Sequence, residues 1–98
     1  MSLATLRKGQ RVIISGAAGT VEGLVIAVAG AEDLVPIPEA PDVALVAACM
    51  TDLGIAQVAY ITHLHAGRLV TFAALGDGRG RWRDLHRQEL TITAVGDN

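Results

Sequence analysis

The chain has one cysteine, Cys49, one lysine, Lys8, and a single Phe, a single Tyr and a single Trp. One thiol closes no internal disulfide, and the N-terminus carries no signal-peptide pattern, so a reducing cytoplasmic setting is the expectation. No uncharged apolar run reaches the roughly 18–20 residues that a membrane-spanning helix needs. A Walker-type phosphate loop is excluded because its lysine is missing. The glycines of Gly76-x-Gly78-x-Gly80 lead into a strand pattern, whereas a dinucleotide fingerprint needs a helix there. No serine sits in a nucleophile-elbow pattern, and no two carboxylates have the arrangement of an acid and base pair. A non-enzymatic chain without a cofactor is the expectation.

What the sequence does hold is small and aliphatic. Hydrophobic residues make up 51% of 98 positions, before 11 glycines are counted. A single domain spanning residues 1–98 can bury one core, built here from Ala, Val, Leu and Ile. Apolar surface beyond the capacity of so small a core has its usual place in a contact between copies, so a homo-oligomer is expected. The net charge of −2 argues against broad nucleic-acid affinity. Its distribution is uneven. Six acids and no Lys or Arg lie between Thr20 and Tyr60, whereas Arg68 to Arg87 holds five arginines against Asp77 and Asp84.

Read in order, residues 1–5 form a lead-in and Lys8-Gly9-Gln10 a turn. A strand follows with Val12 and Ile14 on one face and Arg11, Ile13 and Ser15 on the other. Gly16 to Gly19 makes a tight connection into a second strand, Thr20 to Ala29, in which Gly23 suggests a bulge or bend. Residues 30–41 read as a linker carrying Pro36, Pro38 and Pro41. A helix is expected over 42–53, because Val43, Val46, Ala47, Met50 and Leu53 recur at helical spacing before Gly54.

A hairpin then organises the chain. Val58, Tyr60, Thr62 and Leu64 share one face of its first strand, and Ala59, Ile61 and His63 share the other. A two-residue turn at Ala66-Gly67 would pair His65 with Arg68 and His63 with Val70. Both faces are largely apolar, so one is core and the other is covered or in contact. Gly76 to Gly80 reads as a turn, Arg81 to Leu85 as a short strand and Leu90 to Val95 as the last strand. The fold class is mainly β (α+β), a small barrel of five or six strands with one helix.

The run Gly9-x-Arg11-Val12, then Gly16-x-x-Gly19-Thr20-Val21-x-Gly23, resembles the opening hairpin of small SH3-like barrels, including the KOW type. The resemblance covers about 18 of the 98 residues. It implies a barrel, and in the KOW case a nucleic-acid-binding surface that would use Arg11 with the later arginines. RNA-binding KOW modules carry basic residues in the loop where this chain has Ala17-Ala18, which ranks nucleic acid behind a protein partner.

Two candidate sites follow. His63 and His65, two apart on a strand, face the same way with Cβ atoms about 7 Å apart, a spacing at which they can share a metal. The string around them also resembles the start of the metallo-β-lactamase motif, which continues with Asp and His where this chain has Gly67 and Arg68. A third ligand would have to come from Cys49 or His86. Arg79, Arg81 and Arg83 are the candidate binding residues. Alternation sets them on one face with Trp82 on the other, able to bind phosphate or a partner's carboxylates. The functional expectation is a binding and assembly module that self-associates.

Overall fold

A computed structural model describes residues 5–17, 19–30 and 54–95. Six antiparallel strands close into a small barrel in chain order: β1 (Arg11–Gly16), β2 (Gly19–Gly30), β3 (Gln57–His65), β4 (Arg68–Gly76), β5 (Trp82–Arg83) and β6 (Glu89–Ala94). β1 closes the ring by pairing with β6, Ile13 opposite Thr93. This is the expected mainly β barrel and is compatible with an SH3-like one. The helix expected over 42–53, the linker and Cys49 lie outside the described residues. Among the described residues no helix is long and apolar enough to cross a membrane.

Period-two alternation on twisted strands divides the apolar residues between two sides of the sheet. Inside the barrel, Leu6, Val12, Ile14, Val25, Ala59, Ile61, Ala74, Trp82 and Ile92 form the main core. On the outside of β3 and β4, Ile55, Val58, Tyr60, Ala73 and Leu75 form a second buried cluster with Ile26, Ala27 and Leu85 against it. The hairpin is therefore apolar on both faces, as its sequence requires.

Leu6 is held by more than packing. The Gln57 side chain accepts a hydrogen bond from the Leu6 N–H (2.9 Å) and donates one to the Leu6 carbonyl (3.0 Å). This fastens the segment before β1 to the start of β3.

Gly23 does not mark the irregularity in β2. The β1–β2 register runs unbroken past it, and the β2–β3 register shifts between Val25 and Ala27, leaving Ile26 as the extra residue. Gly23 answers a different need, since a Cβ there would lie 2.6 Å from Cγ2 of Ile61 and 3.1 Å from Cδ1 of Ile14. It lets two core isoleucines approach the backbone.

Candidate functional site

β3 and β4 pair along their whole length, from Gln57 opposite Gly76 to His65 opposite Arg68. The turn between them has φ of 51° at Ala66 and 77° at Gly67. Two successive left-handed residues match the right-handed twist of the strands and fix the register. The neighbouring strands stop short of this end. β2 last pairs with β3 at Gly23 opposite His63, and β5 meets β4 only at Leu75 and Gly76. The tip of the hairpin projects beyond the barrel wall.

That tip carries the most exposed large hydrophobic residues described. Leu64 and Leu69 are cross-strand partners, 68% and 73% exposed, with Leu24 at 40% on the neighbouring strand. Leu24, Leu64 and Leu69 line a shallow groove that also includes Arg11 and Glu22. Those two form an ion pair at 2.7 Å. The Glu22 hydrogen bond and charge keep the Arg11 guanidinium above its ordinary pKa. Arg11 is thereby engaged at the margin of the groove.

Beneath the tip lies a recess of about 230 Å³ in the barrel mouth, lined by Ile14, Val21, His63, His65, Asp84 and Leu90 among others. The two histidines do share it, as the strand period requires. His63 is half-buried, its ring edge-on to Phe72 at 5.8 Å and its Nδ1 3.3 Å from the Leu64 carbonyl oxygen. His65 is exposed. Among the described residues no three His, Cys, Asp or Glu side chains gather as a metal site. His86 therefore does not complete one with the pair, and Cys49 lies outside the described residues.

The arginines occupy a loop more than a strand. Only Arg83, half-buried, is in β5; Arg79 and Arg81 are exposed in the connection before it, and Trp82 points into the core at 1% exposure. Alternation through 79–83 needed an extended segment that does not extend so far. Instead, Asp77 ties the loop. Its Oδ1 accepts hydrogen bonds from the N–H of Arg79 (2.7 Å) and of Arg81 (3.2 Å), while its own N–H donates to the Arg81 carbonyl. The Arg79 amide above all, with the Arg81 amide and both guanidinium charges helping, holds the Asp77 carboxyl below its usual pKa against a smaller opposing effect of burial.

The next connection is built the same way. Asp84 Oδ1 accepts from the N–H of His86 (2.8 Å) and Gln88 (3.0 Å), and the Asp84 N–H donates to the Gln88 carbonyl. The last residue of each loop, Gly80 at φ 95° and Arg87 at φ 66°, is left-handed. These are three-residue hairpin loops with an aspartate serving two amides each. The signal was an Asp five residues before the start of the next strand, repeated seven residues apart.

Scans against family models, curated proteins and solved structures return no match for this chain.

Proposed function

We propose that this chain is a small, non-enzymatic binding and assembly module that associates with copies of itself. The observation that carries the reading is the Leu64–Leu69 pair, 68% and 73% exposed on a hairpin that outruns its neighbours. Covering both side chains contributes about 1.5–3 kcal/mol each at full burial, and among the described residues no other large hydrophobic side chain is as exposed. Arg79 and Arg81, exposed on the Asp77-tied loop, and Arg83 beside them are a second contact face suited to a partner's carboxylates. A KOW-type nucleic-acid role draws on Arg11, whose engagement with Glu22 weakens it.

Sedimentation velocity over a concentration series tests the reading. The expected result is a reversible dimer or larger species that Leu64→Ser with Leu69→Ser converts to monomer. A wild-type protein that stays monomeric up to millimolar concentration refutes it. Steeply salt-dependent binding of labelled RNA or DNA in an anisotropy titration would replace it with the nucleic-acid role.

A further inference from the structure

The barrel closes across β4 and β5 through only two residue pairs, Leu75 with Arg83 and Gly76 with Trp82. From Arg68 to Ala74, the edge of β4 that faces away from β3 has no strand beside it among the described residues. The two-residue turn dictates which amides use that edge. Its closing pair, His65 and Arg68, exchanges hydrogen bonds, so Leu64 opposite Leu69 is a non-hydrogen-bonded pair. Strict alternation then turns the N–H and C=O of Leu69 and Thr71 outward, away from β3.

Edges of this kind are ordinarily blunted with proline, lysine or a bulge. Arg68–Gly76 reads RLVTFAALG: it contains no proline or lysine, and its register with β3 is unbroken. Its one charge, Arg68, stands at the end. Leu69 is 73% and Val70 39% exposed along the same stretch.

We infer that two copies of this chain pair antiparallel across the β4 edge, about a two-fold axis through Val70. The inference rests on the self-association reading and names the surface it uses. The register follows from the edge. With Val70 on the axis, Leu69 of each copy lies opposite Thr71 of the second copy, and the outward amides form four backbone hydrogen bonds. Arg68 then faces Phe72 of the second copy, a guanidinium beside an aromatic ring. An axis at Leu69 would set Thr71 against Gly67, which belongs to the turn. An axis at Thr71 would draw in Ala73, which is 1% exposed. An axis at Arg68 would oppose two like charges. Only the Val70 register uses the accessible amides and spares the charges. It also brings the exposed Leu69 of both copies to one side of the joined sheet, which covers apolar surface that a polar foreign strand would leave bare.

The experiment uses the full chain in sedimentation velocity together with a cross-linking probe. Proline at position 71 removes an outward N–H, which the β3 ladder does not use, and a long side-chain bond from the Thr71 hydroxyl to Thr62 Oγ1 (3.4 Å). Thr71→Pro is therefore expected to keep the wild-type circular dichroism spectrum and to weaken association at least tenfold, as is Leu69→Lys. In a Cys49→Ser background, Val70→Cys places the two thiols on the axis at a Cα separation of about 4.5 Å, which a disulfide can bridge. Mild oxidation should link the copies at least tenfold faster than it links an Arg79→Cys control. Dimers of wild-type strength in Thr71→Pro, or Val70→Cys linking no faster than the control, overturn the edge pairing and leave self-association standing. A monomeric wild-type protein removes both, and leaves the edge to a foreign strand. Should Thr71→Pro fail to fold, the Val70→Cys rate decides alone.

Discussion

The indole of Trp82 lies directly over Gly76, its cross-strand partner: a Cβ added to Gly76 would sit 2.7 Å from Cζ3 and 2.8 Å from Cη2. The glycine is there because the largest side chain of the core needs its volume. Gly76→Ala is expected to push the indole off its site and destabilise the protein by about 1–3 kcal/mol. Chemical denaturation measures the loss. The single tryptophan supplies the second readout, a red-shifted native emission. Unchanged stability with unchanged emission would show that the ring does not depend on the missing methyl.

The hairpin turn offers the opposite case. Ala66 adopts φ 51°, a left-handed conformation that costs a residue with a Cβ about 1 kcal/mol and glycine or asparagine less. Ala66→Asn, which makes the Asn-Gly turn, should stabilise the fold by about 0.5–1 kcal/mol, seen as a rise in the midpoint of thermal unfolding. Ala66→Val should lower it. The reverse order would mean that the turn has another conformation in solution.

Much of this hairpin was legible because its signals are local and agree. Alternation over 57–65, a glycine at the turn and alternation over 68–76 fix one register, and each pairing from His65 with Arg68 onward follows from it. The separation of Val58 and Tyr60 from Ala59 and Ile61 into two clusters follows from the same period. The candidate sites were less legible for two physical reasons. Arg79 and Arg81 were read by strand alternation, but Asp77 captures their amides and curls the segment into a loop. The edge that β4 leaves open among the described residues depends on β5 being two residues long, a length set by where Asp77 and Asp84 each close a loop. Gly23 illustrates a third limit, since glycine in a strand signals either a bulge or a close approach, and only the position of Ile61 distinguishes them.

Tyr60 is buried on the outer side of β3, and its hydroxyl has no hydrogen-bond partner among the described residues. Burial pushes its phenol pKa up. Removing the unsatisfied oxygen while keeping the ring should help, so Tyr60→Phe is expected to stabilise by about 1 kcal/mol. The titration gives an independent check. A raised folded pKa means that the neutral phenol's contribution is fully present below the unfolded value near 10 and is lost as pH rises through the folded one. Wild type should therefore lose stability in alkali relative to Tyr60→Phe. Equal alkaline unfolding of the two proteins would show that the hydroxyl is solvated.

Asp77 titrates at the other end of the scale. Its carboxylate receives the Arg79 and Arg81 amides, and the Arg79 bond foremost keeps its pKa below the ordinary value. A depressed folded pKa contributes stability that is present above the unfolded value, about 3.9, and lost as pH falls through the lower folded one. Asp77→Asn preserves a side-chain oxygen that can accept both bonds but has no proton to gain. The variant should be less stable than wild type at pH 7, because the bonds to a charged acceptor are the stronger ones. That gap should narrow as the pH drops below about 4. Asp77→Ala removes the acceptor at every pH, so it should lower the unfolding midpoint further and leave Arg79 and Arg81 on a loosened loop. Thermal unfolding of the three proteins between pH 7 and pH 2 checks this. If the difference between wild type and Asp77→Asn stays constant across that range, the carboxylate does not hold the loop. The arginine face would then owe its arrangement to Gly78 and Gly80, which are left-handed on either side of Arg79.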